Sequence, residues 1–568
     1  MSYDVVIRGG TVVDGSGMPR YRADVGVSQG RIARIGRIRD SAQEVIDAEG
    51  LVVAPGFVDG HTHMDAQVAW DPLGTCSCWH GVTTVVMGNC GFTLAPCRKP
   101  DKHLVLRNLE RAEDIPAEAM EAGIDWTWET YAEYLDAVER WPKGINYSGY
   151  VGHSALRTYA MGERAFSDAA TADDLAVMKR ELAAALRAGA LGFTTSRTRN
   201  HETTDRRPVA SRVAGWDEVR ELVAVMGDLG AGIFEIAGED TGRDPDRVGD
   251  YLGRLRDLAV DTGVPVTWGM FSMRAAPDHW RAYFDLLDET ARAGGRMFAQ
   301  VHSRALSVLL SFETRLPWDR LPEWRELRRR PLADQQAALR DPALRRKLVA
   351  AVNEGDLGAR RVGAEARRPD YEWLFLMEQP TGPHRSVAEI ARERGVDAVE
   401  AMLQLALERD LRCFFVQPLA NENQDHVLEM MRHPRSVVTF SDSGAHVSQI
   451  MDSSLQTHVL AYWVRQRQAL TLEEAVRMLS FEPASAWGLH ERGLLREGLA
   501  ADVIVFDPER VAPLMPEVVD DLPAGARRLR QKATGFRASI VNGAVMLRDG
   551  EHTGALPGRL LRGPLARR

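Results

Sequence analysis

GFVDGHTHMDAQVAWDP, residues 56–72, follows the apolar run LVVAP (51–55) and ends what reads as a core-bound strand with two histidines, His61 and His63, one residue apart. Successive side chains of a strand alternate faces, so these imidazoles point to one side about two residues' rise apart, near enough to share one ion. Imidazole nitrogen suits zinc and similar metals. A pair of satisfied polar histidines in a turn has the same spacing, so the pair's place in the fold must decide between the two readings.

That place follows from what recurs along the chain. Short β-rich runs alternate with longer helical patterns: GFVDG (56–60), TTVVMG (83–88), YSGYVG (147–152), ALGFTT (190–195), GIFEIA (232–237), VPVTWG (264–269), RMFAQV (296–301) and SVVTFS (436–441). Segments between them, such as DDLAVMKRELAAALRAG, carry apolar residues at i, i+3, i+4 and i+7. Parallel strands joined by crossover helices give this alternation, and eight of them predict an α/β protein built on a closed (β/α)₈ barrel. A ninth run, LRCFFVQ (411–417), is assigned to the connection between strands seven and eight. That connection, Ser303 to Arg435, is too long to be structureless and is expected to be a folded helical insertion serving as a lid or an oligomer contact.

The chain ends read differently. IRGGTVVDGSG and VGVSQGRIARIG near the start, and GLLREGLAADVIVFD and ASIVNGAVMLRDG near the end, are short strands with NG and DG turn signals. The expected division is a small β-sandwich from residues 1–54 plus 487–568, and a barrel from 55–486 that carries 303–435 as its insertion.

Composition narrows the function classes. With 568 residues, 45% hydrophobic and 27% charged, the chain is of ordinary globular make-up. No apolar run reaches the ~18 residues of a membrane span, and the start lacks a secretory pattern. Five cysteines, an odd number, do not make a disulfide framework and point to reduced thiols in the cytoplasm. A net charge of -9 disfavours nucleic acid, and the basic stretch 323–348 reads as a solvated helical face. A small-molecule substrate is the expected partner, with self-association left open.

Active sites of (β/α)₈ barrels collect at the C-terminal ends of the strands. His61 and His63 lie there after strand one. Cys90 in MGNCGF follows strand two, and Asp442 and His446 in FSDSGAH follow strand eight. A lone buried cysteine is more often packing than a ligand. A buried carboxylate, by contrast, requires a partner. His61, His63 and Asp442 give zinc three protein ligands and leave one position open, as in catalytic rather than structural sites.

GFVDGHTHMDAQ, WHGVTTVVMGNCG, SDSGAH and GLLREGLAADVIVFD together resemble the metal-dependent amidohydrolase superfamily and, within it, the D-aminoacylase (N-acyl-D-amino-acid deacylase) branch. The resemblance runs from the first strands to the C-terminal end and is weakest across 303–435. It implies a (β/α)₈ barrel, a sandwich from both termini, zinc and hydrolysis of an amide, with Cys90 as a ligand in the place of a carboxylated lysine. This sequence departs from the pattern at strands five and six, GIFEIAGE and VPVTWGMFS, where relatives place histidines. Glu235 is a substitute oxygen ligand, Trp268 cannot ligate, and His302 after strand seven is a spare candidate. One zinc ion among His61, His63 and Asp442, with Cys90 and Glu235 nearby, is therefore expected rather than a filled binuclear centre.

Three further residues are candidates for substrate contacts. His153 in VGHSALR either hydrogen-bonds a carbonyl oxygen or ties down its loop. Arg197 in TTSRTRN either clamps the carboxylate of an N-acyl amino acid or forms a structural ion pair. His446 would hold the oxyanion or the acyl side. Cys76 and His80 in CSCWH are read as packing or as residues that support the metal ligands from behind. The expected reaction is hydrolysis of an N-acyl-(D-)amino acid or related amide, with Asp442 accepting a proton from water and passing it to the leaving nitrogen. The alternatives are another carbonyl bond on the same scaffold (lactone, cyclic amide or carbamate) and a barrel without catalysis that serves in binding or assembly.

Overall fold

The computed structural model describes residues 2–242, 244–357 and 369–567. All eight expected parallel strands are present: one, Phe57–Asp59; two, Val82–Met87; three, Asn146–Gly149 continued by Val151–Gly152; four, Gly192–Ser196; five, Ile233–Ala237; six, Val266–Met270; seven, Met297–Val301; and eight, Ser436–Val438. Each pairs in parallel with the next, from one through eight. Between eight and one the link is a parallel bridge from Thr62 to Ser443, where the His63 backbone N–H donates to the Ser443 carbonyl at 2.8 Å. The strands are buried almost throughout, as parallel strands covered on both faces must be, which explains why they read as unbroken apolar runs.

The crossover helices begin and end on local signals. Ala172–Ala188 starts at a capping box formed by Thr171 and Asp174 and stops at Gly189 in a left-handed conformation. Pro245–Thr262 starts at Asp244, whose carboxylate accepts from two backbone N–H groups. Their apolar faces, with Met178, Leu182, Leu255 and Leu258, join Phe193, Phe234 and Val266 of the strands in one large core.

Both ends of the chain build one nine-stranded sheet, with Val52–Pro55 pairing antiparallel to Val503–Phe506 across the join. Its core of Val5, Ile7, Val25, Val27, Val503, Val505 and Ile540 is separate from that of the parallel strands. All nine strands are continuous by hydrogen bonding. The last segment leaves this sheet: Pro557 and Leu560 form parallel bridges with Lys143 and Tyr147 beside strand three.

The described residues of the connection after strand seven form strands and helices. Leu306–Leu310, Phe375–Leu376 and Phe415–Ala420 form an antiparallel sheet that absorbs the ninth β-rich run. Helices including Pro322–Arg328, Pro342–Glu354 and Ala398–Leu407 pack around a core of their own containing Trp318, Trp324, Leu348 and Met402. Among the described residues no helix is long and apolar enough to cross a membrane.

Candidate metal centre

His61 and His63 leave the end of strand one in a backbone held on both sides. The Thr62 N–H and hydroxyl both donate to the Val86 carbonyl of strand two, and the His61 N–H donates to the buried carboxylate of Asp59 at 3.2 Å. His61 Nδ1 lies 2.6 Å from Oε1 of Gln300 in strand seven. That amide oxygen accepts the imidazole N–H, which leaves Nε2 as the free ligand nitrogen, the orienting role that partners of metal-bound histidines usually perform. The ring also stacks on Phe440, with centroids 3.8 Å apart.

Strand eight delivers the carboxylate opposite. Asp442 Oδ1 lies 3.3 Å from His61 Nε2 and 3.5 Å from His63 Nε2. Cys90 enters from strand two on a turn with φ of 55°, its Sγ 3.5 Å from His61 Nε2. The ligand atoms of His61, His63 and Cys90 lie within 4.8 Å of one another, and all three residues are buried. The four principal residues expected from the sequence therefore converge.

Glu235 of strand five is present but engaged: its Oε2 accepts the Cys90 N–H at 2.8 Å, while Oε1 is buried without a partner. Two residues that the sequence reading did not single out complete the cluster. Glu113, which ends the helix Lys102–Ala112, lies 3.4 Å from His63 Nε2, and His201, in the loop after strand four, lies 3.9 Å from the Glu113 carboxylate. Cys90, Glu113 and His201 form a second group of ligand atoms within 4.8 Å. Neither residue carries a local signal, because Glu113 sits in the ordinary charged stretch LERAEDIP and His201 in a polar loop; only the loop's place after a strand end pointed there.

The remaining candidates divide. His446 Nε2 lies 3.7 Å from Glu113, with the side chain about a quarter exposed at the rim of the cluster. His153 is fully buried, and both ring nitrogens are used, by Thr195 Oγ1 and Glu218 Oε1 at 2.8 Å each. Arg197 donates to Glu239 at 2.6 Å and to the Ala214 carbonyl. His302 faces Asp452 at 3.3 Å, and His80 is held by Thr457 and the Gln531 carbonyl.

The electrostatics show what the donor set lacks. Burial pushes Glu235 up to about 8 and also raises Glu113; burial, then the neighbouring Glu235, Glu113 and Asp442 charges, holds the Cys90 thiol far above its ordinary value. Burial lowers His61 to about 4, whereas on His63 the Glu113 and Asp442 carboxylates outweigh burial and raise it to about 9. Three buried carboxyl groups and a thiol share the cluster with His61, His63 and His201, and Oε1 of Glu113 and Oε1 of Glu235 have no hydrogen-bond partner. Such groups are costly without compensation, and a bound cation would favour the carboxylates, the thiolate and the neutral imidazoles. Nitrogen, sulfur and carboxylate oxygen are the ligands of zinc.

The profile of the amidohydrolase family matches residues 44–546. The chain belongs to that family. This amidohydrolase is 28% identical to a D-aminoacylase of Alcaligenes xylosoxydans xylosoxydans over 576 residues, covering 98% of this chain and 97% of the relative. It is likewise 28% identical to an N-acyl-D-glutamate deacylase of the same organism, with 98% and 96% covered. Among solved structures, an N-acyl-D-glutamate deacylase from Bordetella bronchiseptica, complexed with zinc and a phosphonate inhibitor that mimics the tetrahedral intermediate, matches at 26% identity. Its TM-score is 0.65, over 99% of this chain and 100% of that one. A dihydropyrimidinase from Brevibacillus agri, at 14% identity and a TM-score of 0.52, shares the fold. Metal-dependent hydrolysis of an amide bond is the activity this family membership carries.

Proposed function

We propose that this amidohydrolase deacylates an N-acyl-D-amino acid or a related N-acyl compound at a zinc centre held by His61, His63, Cys90 and Asp442. The observation that carries the reading is the meeting of Asp442 Oδ1 with both histidine Nε2 atoms across the ends of strands one and eight. Zinc supplies polarisation of the scissile carbonyl and a water acidic enough to ionise near neutrality. Asp442 would orient the attacking water, accept its proton on a carboxylate oxygen and return it to the leaving nitrogen, which departs poorly as an amide anion. His61, fixed by Gln300, keeps the ligand geometry rigid. His446, at the exposed rim, is left to contact the acyl side.

His153 and Arg197 are assigned supporting roles, because both His153 ring nitrogens are taken by Thr195 and Glu218, and Arg197 is held by Glu239 and the Ala214 carbonyl. Glu235 is assigned the same way, as the anchor of the Cys90 turn. One ion is the primary reading; a second, sharing Cys90, is favoured by the grouping of Cys90 with Glu113 and His201. The parallel strands are read as a closed (β/α)₈ barrel with the terminal sheet as a companion domain, a reading that the Thr62–Ser443 bridge and the separate core of the sheet support. Five free, buried cysteines fit a reducing compartment.

Zinc-loaded protein assayed against N-acyl-D- and N-acyl-L-amino acids, lactones and hydantoins tests the substrate class. Turnover of the N-acyl-D compounds is expected. Turnover confined to lactones or hydantoins would replace this reading with hydrolysis of another carbonyl bond.

A further inference from the structure

A cavity of about 670 Å³ lies where the insertion meets the segment after strand eight. Leu309, Phe375, Met377, Val416, Met451 and Tyr462 give it apolar walls. The residues of the metal centre do not line it. Space of this size holds a small organic molecule, and apolar walls with a few fixed polar groups are the usual make-up of such a site.

Among the polar side chains of the lining, two are more than nine-tenths buried, and each is left incomplete. His458 is 6% exposed and stacks on Tyr462 with centroids 5.0 Å apart, yet neither ring nitrogen has a hydrogen-bond partner. Gln531 is 1% exposed; its Nε2 donates to the Leu514 carbonyl at 2.6 Å, while Oε1 has no partner. Buried polar groups left unsatisfied are costly, so two of them in one cavity point to something that completes them. Burial, reinforced by the Arg304 charge, keeps the imidazole neutral, so it presents one N–H donor and one acceptor nitrogen. The guanidinium groups of Arg304 and Arg467, which also line the cavity, are already paired with Asp452 and Asp425. The demand of these two groups is therefore for an uncharged one that both donates and accepts, and the Glu422 carboxylate, which also lines the cavity, disfavours an anion.

We propose that this cavity binds a neutral small molecule with an aromatic or branched aliphatic body and an amide. The amide carbonyl would accept from the His458 ring N–H and the amide N–H would donate to Gln531 Oε1. The site is separate from the metal centre, so the ligand acts there as an effector or as a second recognition point rather than as the group being cleaved.

The test is calorimetric titration of the zinc-loaded full chain with N-benzylacetamide, benzyl acetate (the same body without the N–H) and phenylacetate (an anion). Saturable binding of one N-benzylacetamide per chain is expected, with benzyl acetate and phenylacetate each weaker. His458→Phe, which keeps the ring and removes both nitrogens, should weaken the amide about tenfold. Leu309→Trp, which fills the cavity, should abolish binding with zinc content unchanged. Should His458→Phe fail to fold, Val416→Trp on another wall replaces it, with the same loss expected as for Leu309→Trp. Absence of saturable binding at millimolar amide, equal binding of amide and ester, or binding unaffected by Leu309→Trp would each overturn the proposal. None of these results bears on the hydrolase reading, which zinc content and turnover report independently.

Discussion

Replacing Asp442 by Asn separates the proton-transfer role of this residue from its structural one. The residue has a φ of 51°, in the left-handed region that asparagine tolerates better than almost any other side chain with a Cβ, so the backbone accepts the change without strain. The amide retains an oxygen in the position that now meets His61 and His63, and it loses the charge and basicity that proton transfer requires. A positioned general base or acid is worth about 10²–10⁴ in rate, which at about 1.4 kcal/mol per decade corresponds to ~3–5 kcal/mol of barrier. The assay is kcat for an N-acyl-D-amino acid, measured beside zinc content on the same preparation. A fall of at least a hundredfold in kcat with zinc retained is expected. Activity within tenfold of wild type at full zinc occupancy would refute the role given to this carboxylate.

Four other outcomes follow from the same coordinates. Arg157→Met leaves the Glu218 carboxylate buried beside His153 without its cation, and denaturant unfolding should show a loss of about 3–5 kcal/mol; a loss below about 1 kcal/mol would show that the pair is idle. Burial alone would raise the Glu218 pKa, but His153 and Arg157 outweigh it and hold it at about 2 against an ordinary 4.5. The stability this contributes, at most about 3 kcal/mol, is complete above 4.5 and lost as pH falls towards 2, so the deficit of Glu218→Gln should shrink on acidification and not on alkalinisation. Gly444 has a φ of 96°, and a Cβ there would meet the His63 carbonyl at 2.6 Å. Gly444→Ala should therefore lower both Tm and zinc affinity, and a variant with wild-type zinc binding would contradict the close approach. Chelation should lower Tm and zinc restore it, since an ion present at a hundredfold its Kd stabilises by ~2.7 kcal/mol; an unchanged melting curve would deny any ion at the cluster.

Much of this was legible in the sequence, for identifiable reasons. Parallel strands buried on both faces must be apolar without interruption, so TTVVMG and RMFAQV announced themselves. His61, His63 and Asp442 stood out because polar groups at the ends of such strands need a purpose. Glu113 and His201 were hidden, since a glutamate ending an amphipathic helix and a histidine in a polar loop look like solvated surface until tertiary contacts bury them. His153 and Arg197 have chemistry suited to a substrate, but how far such a side chain is already engaged depends on distant partners such as Glu218 and Glu239, which the sequence does not reveal. Local turn chemistry at the two ends gave strands and hairpins, and their union in one domain was expected; the strand pairing that joins them, Val52–Pro55 with Val503–Phe506, is encoded in no local pattern.

The most direct test is elemental analysis of the protein purified without chelator, beside the His61→Asn/His63→Asn double variant and Cys90→Ala. The account predicts at least one zinc per chain in the wild type, none in the double variant and weakened retention in Cys90→Ala. A wild-type protein that folds and carries no stoichiometric metal, even after incubation with zinc, would contradict it.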